Sequence, residues 1–230
     1  MTSPLPSSIA ALLAALLREP GRPRVTWYGD DGERIELSGA VLDNWVSKTT
    51  NLLVEEFDAG PGSGIRIDLP VHWRTLVWAL AAWRCGASVL LDDDADPAVL
   101  ITDDPARHPD ATEPVAVALP ALSRSWTGAP LPSGAVDAAQ AVMTYGDVIG
   151  WAPPTDPAAE ALPGTRFDEL ITAPVTEAGA RTLLVDAVGA DFLRTALAVL
   201  AGGGSVVLAP GATGERAERI VTAEQVTARA

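Results

Sequence analysis

An α/β fold, layered around a mostly parallel sheet with crossover helices, is what this sequence predicts, and three observations predict it. Short apolar runs alternate with helical periodicities of about fifteen residues, the rhythm of strand–crossover–strand units. The two most apolar helical segments each stop at glycine, Gly86 and Gly202, and a further apolar run follows each stop. The chain has 230 residues, 48% hydrophobic and only 20% charged, so it can bury a core without disulfide or metal staples.

The elements follow in order. Ser7 to Leu17 is apolar but lacks a basic leader, ends in Arg18-Glu19-Pro20-Gly21, and is about half the roughly twenty residues that a membrane span needs. It predicts an amphipathic N-terminal helix packed on the domain, and a cytoplasmic protein. Val25 to Tyr28 reads as a strand, Gly29-Asp30-Asp31-Gly32 as a hairpin turn, and Arg34 to Leu37 as the return strand. Ser38 is placed to cap a helix whose Leu42, Trp45, Val46, Thr49, Leu52 and Leu53 recur at helical spacing up to Phe57, with Lys48 and Glu55 on its wet side. Ile65 to Leu69 is a strand ended by Pro70. From Pro70 to Cys85 the helix is apolar on nearly all sides, which predicts burial. Ser88 to Leu91, Ala98 to Thr102 and Val115 to Leu119 are core strands. Prolines make 119–134 mostly loop, 135–143 fits either helix or strand, and 150–164 is expected to be an exposed, flexible proline-rich loop. Thr182 to Val185, Asp191 to Ala201, Ser205 to Leu208 and Arg216 to Thr227 complete the pattern as strand, helix, strand, helix. One domain over 1–230 is the expected organisation.

Composition excludes several functions. A formal charge of −14 repels phosphates, so nucleic acid and anionic membranes are disfavoured partners. One cysteine and two histidines, His72 and His108, cannot build a disulfide scaffold or a thiolate or imidazole zinc site. Lys48 is the only lysine among 16 basic residues, so chemistry that needs a lysine has one candidate.

Gly60-Pro61-Gly62-Ser63-Gly64 and Gly202-Gly203-Gly204-Ser205 resemble phosphate loops in composition only. Such loops follow a strand and open a helix, whereas both runs close a helix and precede a strand. Asp92 and Asp94 follow an apolar strand and resemble the acidic pair of haloacid-dehalogenase phosphotransferases, with Asp103 and Asp104 able to complete a metal cage. Against this, Ala95 stands where that family prefers Thr or Val, no lysine follows, and 92–113 carries eight acids and one Arg107, the pattern of a solvated acidic loop. Cys85 is an inert core thiol by position, and His72 beside Trp73 is a helix-end packing residue. Trp126 and Trp151 fall in loops and are candidates to line a pocket.

Val25-Thr26-Trp27, the helix after Ser38, Gly62-Ser63-Gly64-Ile65-Arg66-Ile67, Leu69-Pro70 and Cys85-Gly86-Ala87-Ser88-Val89-Leu90-Leu91-Asp92 resemble, in order, the beginning of the adenylate-forming (AMP-binding, acyl-CoA synthetase-like) enzymes. Leu197 to Leu208 is similar to their "L-x-x-L-x-x-G-G-x-x-V-L" segment, and the helix after it to theirs. The resemblance covers only the front part of the family's large N-terminal domain. It implies that family's N-terminal subdomain fold, and a short relative that amounts to a truncated AMP-binding-like domain, since the adenine and magnesium motifs and the catalytic lysine of the family come later than Ala230.

By the same resemblance, Ala141 to Gly150 stands where these enzymes carry an ATP loop of the type "Y-T-S-G-T-T-G-x-P-K-G". Thr144 and Gly146 match it, and Trp151 follows. Tyr145 replaces a small Ser, Asp147 brings a negative charge, and no cation occurs from Asp147 to Thr165. Two like charges about 4 Å apart cost on the order of 4 kcal/mol at an effective dielectric near 20, so the loop is expected to repel triphosphate. Lys48, read as lying on the exposed side of an early helix, is not expected to stand in for that family's catalytic lysine. The resulting expectation is a non-catalytic or regulatory protein with no catalytic residue and no cofactor, its degenerate loop site formed by Thr144, Gly146, Asp147 and Trp151. A homodimer, or a partner synthetase, would cover its apolar surface. The alternative is a small nucleotide- or acyl-binding enzyme using ATP or AMP with magnesium.

Overall fold

The structure is a computed structural model and describes residues 4–91, 96–120 and 122–230. In chain order the elements are α1 (Ile9–Leu16), β1 (Pro23–Tyr28), β2 (Arg34–Ser38), α2 (Gly39–Phe57), β3 (Gly64–Asp68), α3 (Trp73–Arg84), β4 (Ser88–Leu90) and β5 (Val99–Thr102). A 3₁₀ turn (Pro105–Arg107), β6 (Val115–Ala116), β7 (Val136–Asp137), α4 (Ala138–Met143), β8 (Glu160–Leu162), β9 (Thr165–Arg166) and α5 (Phe167–Leu170) follow. The chain continues through β10 (Arg181–Leu184), α6 (Gly189–Ala201), β11 (Ser205–Leu208), α7 (Gly214–Ala223) and β12 (Ala228–Arg229). The α/β fold class with mostly parallel strands is as the sequence predicts. No helix among the described residues is long and apolar enough to cross a membrane.

The backbone groups into two compact units. The first comprises the chain up to Asp43, Val71–Leu76 and Asp168–Ala230; the second comprises Asn44–Pro70 and Val77–Phe167.

In the first unit the strand order is β12-β10-β11-β1-β2. All neighbours are parallel except the β1–β2 hairpin. Val25 pairs with Val206, and Leu184 with Leu208, so the apolar runs lie side by side. Phe192, Leu193 and Leu197 of α6 and Leu12, Leu13 and Leu16 of α1 are fully buried with them. Burial of each such side chain contributes about 1.5–3 kcal/mol. Ser8 starts α1 by accepting the Ala11 amide, and the Ser38 hydroxyl accepts the Val41 amide at the head of α2.

The second unit holds an entirely parallel sheet, β4-β3-β5-β6-β7. Its portion of α3 is buried all round, from Val77 to Trp83. The helix stops at Gly86, whose φ of +83° is the left-handed conformation that a side chain resists.

Two local expectations change. The segment 135–143 is both strand and helix, β7 running into α4, because the Asp137 carboxylate accepts the Ala139 and Gln140 amides and so starts a helix at the strand's end. The end of 150–164 is not exposed loop. Ala161 and Leu162 are fully buried in the β8–β9 hairpin, and the Trp83 indole donates to the Ala161 carbonyl at 2.9 Å. Proline density alone hid this hairpin.

Candidate functional site

The candidate site is the loop from Thr144 to Gly150, which leaves α4 and lies against the polar stripe of α2 in the second unit. Lys48 and Asn51 are three residues apart, so they share one helix face. The Lys48 ammonium donates to the Tyr145 carbonyl at 2.5 Å and pairs with the Asp147 carboxylate at 2.9 Å. Its side chain is only 17% exposed. Asn51 is buried; its amide donates to the carbonyls of Gly146 (3.3 Å) and Val148 (2.9 Å), and its carbonyl accepts the Gly150 amide at 3.2 Å. One turn further along α2, Glu56 accepts the Tyr145 hydroxyl at 2.7 Å. Burial first, and then the hydrogen bond and charge of Glu56, push the Tyr145 phenol up to about 12.

This corrects the sequence reading of Lys48. The wet side of α2 is covered by the loop, because three loop carbonyls and one loop carboxylate seek donors and the helix supplies them. Asp147, expected to stand as an uncompensated charge, is paired with the one lysine of the chain. Asn51 is the residue that sequence reasoning missed. The visible signal was an amide beside Leu52 and Leu53 on a mostly buried helix.

Of the predicted site residues, Thr144, Gly146 and Asp147 lie together in the loop. The Thr144 hydroxyl turns back to the Ala141 carbonyl at 2.8 Å. Gly146 has no left-handed φ, and a Cβ there would meet nothing closer than 3.9 Å. Trp151 follows the loop and is 66% exposed. Trp126 folds over Gly128, where a Cβ would sit 2.3 Å from the indole, and donates to the Ala129 carbonyl. The amides of Gly146, Asp147 and Val148 make no hydrogen bond among the described residues.

Asp92 and Asp94 lie outside the described residues. Asp103 and Asp104 are both engaged by Arg107, at 2.5 Å and 3.5 Å, and Asp104 caps the 3₁₀ turn. Burial raises the Asp103 carboxyl, partly offset by Arg107. At the carboxyl ends of β3 and β5, Asp68 gathers Thr102 (3.2 Å), Arg107 (3.1 Å) and His108 (2.7 Å). Arg107 and His108 border a cleft of about 550 Å³ that Arg66 also lines. Among the described residues no group of three or more His, Cys, Asp or Glu is placed to hold a metal ion. Cys85 is buried, and burial pushes its thiol up to about 11, so it is inert.

The first unit carries a different polar cluster. Glu224, at the end of α7, accepts from Tyr28, from Arg34 at 2.8 Å and from Arg181. Burial alone would raise its carboxyl, but the hydrogen bonds from Arg34, Tyr28 and Arg181 hold it down to about 2. His72 is buried, accepts the Arg74 amide at its Nδ1, and lies edge-on to Trp27. Burial, and then the Arg74 charge, lower it to about 3, so it is neutral and packs as the sequence suggests.

No protein-family profile matches the chain. Among solved structures, an acyl-CoA synthetase of Brucella canis superposes with a TM-score of 0.72 at 17% identity, covering 96% of this chain and 50% of that one. The amide bond synthetase McbA of Marinactinospora thermotolerans gives 0.67 at 18% identity, covering 96% and 48%. The anthranilate CoA ligase AuaEII, in complex with anthranoyl-AMP, gives 0.69 at 13% identity, covering 99% and 50%. The chain thus has the fold of the N-terminal part of adenylate-forming enzymes and spans about half the length of these structures. Over its whole length it is similar to a protein of Mycobacterium tuberculosis (strain ATCC 25618 / H37Rv), at 36% identity over 245 aligned positions covering 99% of each. By that likeness the chain belongs to the TIGR03089 family.

Proposed function

We propose that this chain is a non-catalytic binding or regulatory member of the adenylate-forming fold, a protein that does not form adenylates by itself. The Lys48–Asp147 pair carries this reading. In the loop that matches the ATP loop by order, the acid and the one lysine neutralise each other, so no free cation is left to meet a triphosphate. One further feature supports it. Three loop carbonyls face α2 donors, which fixes the loop against the helix. These residues do not suit magnesium triphosphate. Isothermal titration with ATP and AMP plus magnesium, and pyrophosphate exchange across a panel of carboxylic acids, test the reading. No heat and no exchange are expected; robust exchange overturns it.

One observation favours a second reading, a small nucleotide- or acyl-binding enzyme. The amides of Gly146, Asp147 and Val148 make no hydrogen bond among the described residues and the loop is exposed, which is the raw material of an anion site. Native mass spectrometry of freshly purified protein separates the two, since a retained nucleotide or acyl compound supports the second. The exposed Met143, Val148 and Trp151 are the apolar surface that a second copy or a partner synthetase would cover. Light scattering after size exclusion reports which mass is present.

A further inference from the structure

The first unit contains a cleft of about 800 Å³ at the amino ends of β1 and β11, built from residues that take no part in the loop site. Its charge is opposite to that of the chain. Arg18, Arg22 and Arg24 line it against one carboxylate, Glu19, in a protein of net charge −14. Glu19 is already shared, bonding Arg22 at 3.0 Å and Arg24 at 3.3 Å. Arg22 also donates to the Gly179 carbonyl, and Arg24 to those of Gly203 (2.6 Å) and Gly204 (3.2 Å). Arg18 is exposed and has no ion pair among the described residues.

Arg24 is the informative residue. It is 2% exposed, yet its Nε has no acceptor among the described residues. A desolvated guanidinium beside a second one, with a single shared counter-charge, is an unfavourable arrangement that an arriving anion would relieve. The rest of the cleft is apolar. Leu5, Leu16 and Pro174 line it, and Pro174 packs on Gly202, where a Cβ would come within 2.6 Å of its ring.

We propose that this cleft binds an organic anion with an apolar body, held by Arg18 and Arg22 at the mouth above the buried Arg24. The anionic group is a carboxylate or a phosphate ester, either of which suits the planar guanidinium fork. The site is separate from the loop of 144–150, and its test does not depend on whether adenylates form.

Octanoate and octyl phosphate are the probes, with octanol as the uncharged control, titrated into the full chain and followed by amide NMR shifts and calorimetry. Both anions are expected to shift resonances around Arg24 and Leu200. Arg18→Glu is expected to weaken binding about fivefold or more, while Arg219→Glu, an identical charge change on exposed α7, leaves it within about twofold. Ala178→Trp fills the cleft and abolishes binding; if that variant fails to fold, the Arg18 and Arg219 pair decides. Binding of octanoate alone, or of octyl phosphate alone, identifies the anionic group. The proposal is overturned if neither anion binds, if octanol binds equally well, or if Arg18→Glu and Arg219→Glu weaken binding alike.

Discussion

Two carboxylates of this molecule, Glu224 in the first unit and Asp147 in the second, each meet a cation, and they differ in kind. Glu224 is 6% exposed and has three side-chain donors drawn from β1, β2 and β10. Asp147 is 56% exposed and has one, Lys48. A desolvated carboxylate with several donors is costly to break, because each donor is left behind unpaired. An exposed pair is worth at most about 1 kcal/mol. The first cluster therefore holds the end of α7 to the sheet, whereas the Lys48–Asp147 pair adds little to a loop that Asn51 already holds against α2.

The largest expected effect tests the stronger cluster. Glu224→Ala should destabilise the fold by about 3 kcal/mol, read in thermal or urea melts. Its pH signature has a definite sign. The folded carboxyl is lowered from 4.5 to about 2, so its stabilisation is present above pH 4.5 and fades as pH falls towards 2. Melts of the wild type and of Glu224→Gln should therefore converge across that window, and a constant gap down to pH 2 would remove Glu224 from this role. Asn51→Ala comes next. It leaves two carbonyls and one amide of the loop without their partner, at a cost of about 1–3 kcal/mol, and should speed hydrogen exchange at Gly150 in particular.

Lys48→Ala and Asp147→Asn should each cost less than about 1 kcal/mol, with a double-mutant coupling of a few tenths. A coupling as large as that of a buried pair would erase the contrast drawn here. Gly146→Ala is expected to be the smallest, within about 0.5 kcal/mol, because the backbone there is not left-handed and the space is open. A large loss at that position would mean that the loop needs its glycine after all.

Much of the fold was legible in the chain because its signals are local. Leu42, Trp45, Val46, Leu52 and Leu53 announce a helix, and Gly86 ends another, through contacts within a few residues. Strand lengths were less legible: β6 is two residues where five were expected, since Val117 and Ala118 stay buried after the chain leaves the ladder. The β8–β9 hairpin escaped notice because its reason, the Trp83 indole meeting the Ala161 carbonyl, joins residues 78 apart. The candidate loop was located by its order in the chain, but its electrostatics were misjudged. Asp147 finds its counter-charge 99 positions earlier, on a helix face that periodicity alone marks as wet.

By itself, the sequence determined the α/β layering, the buried α3, the excess of acid and the presence of a single lysine, because hydrophobic periodicity, turn chemistry and composition act over short range. Only the tertiary structure decided that this lysine neutralises Asp147, that Asn51 clamps the loop, and that three arginines gather at one cleft of an acidic protein. Those pairings arise from the satisfaction of backbone and charged groups brought together by folding, a condition that no stretch of chain records locally.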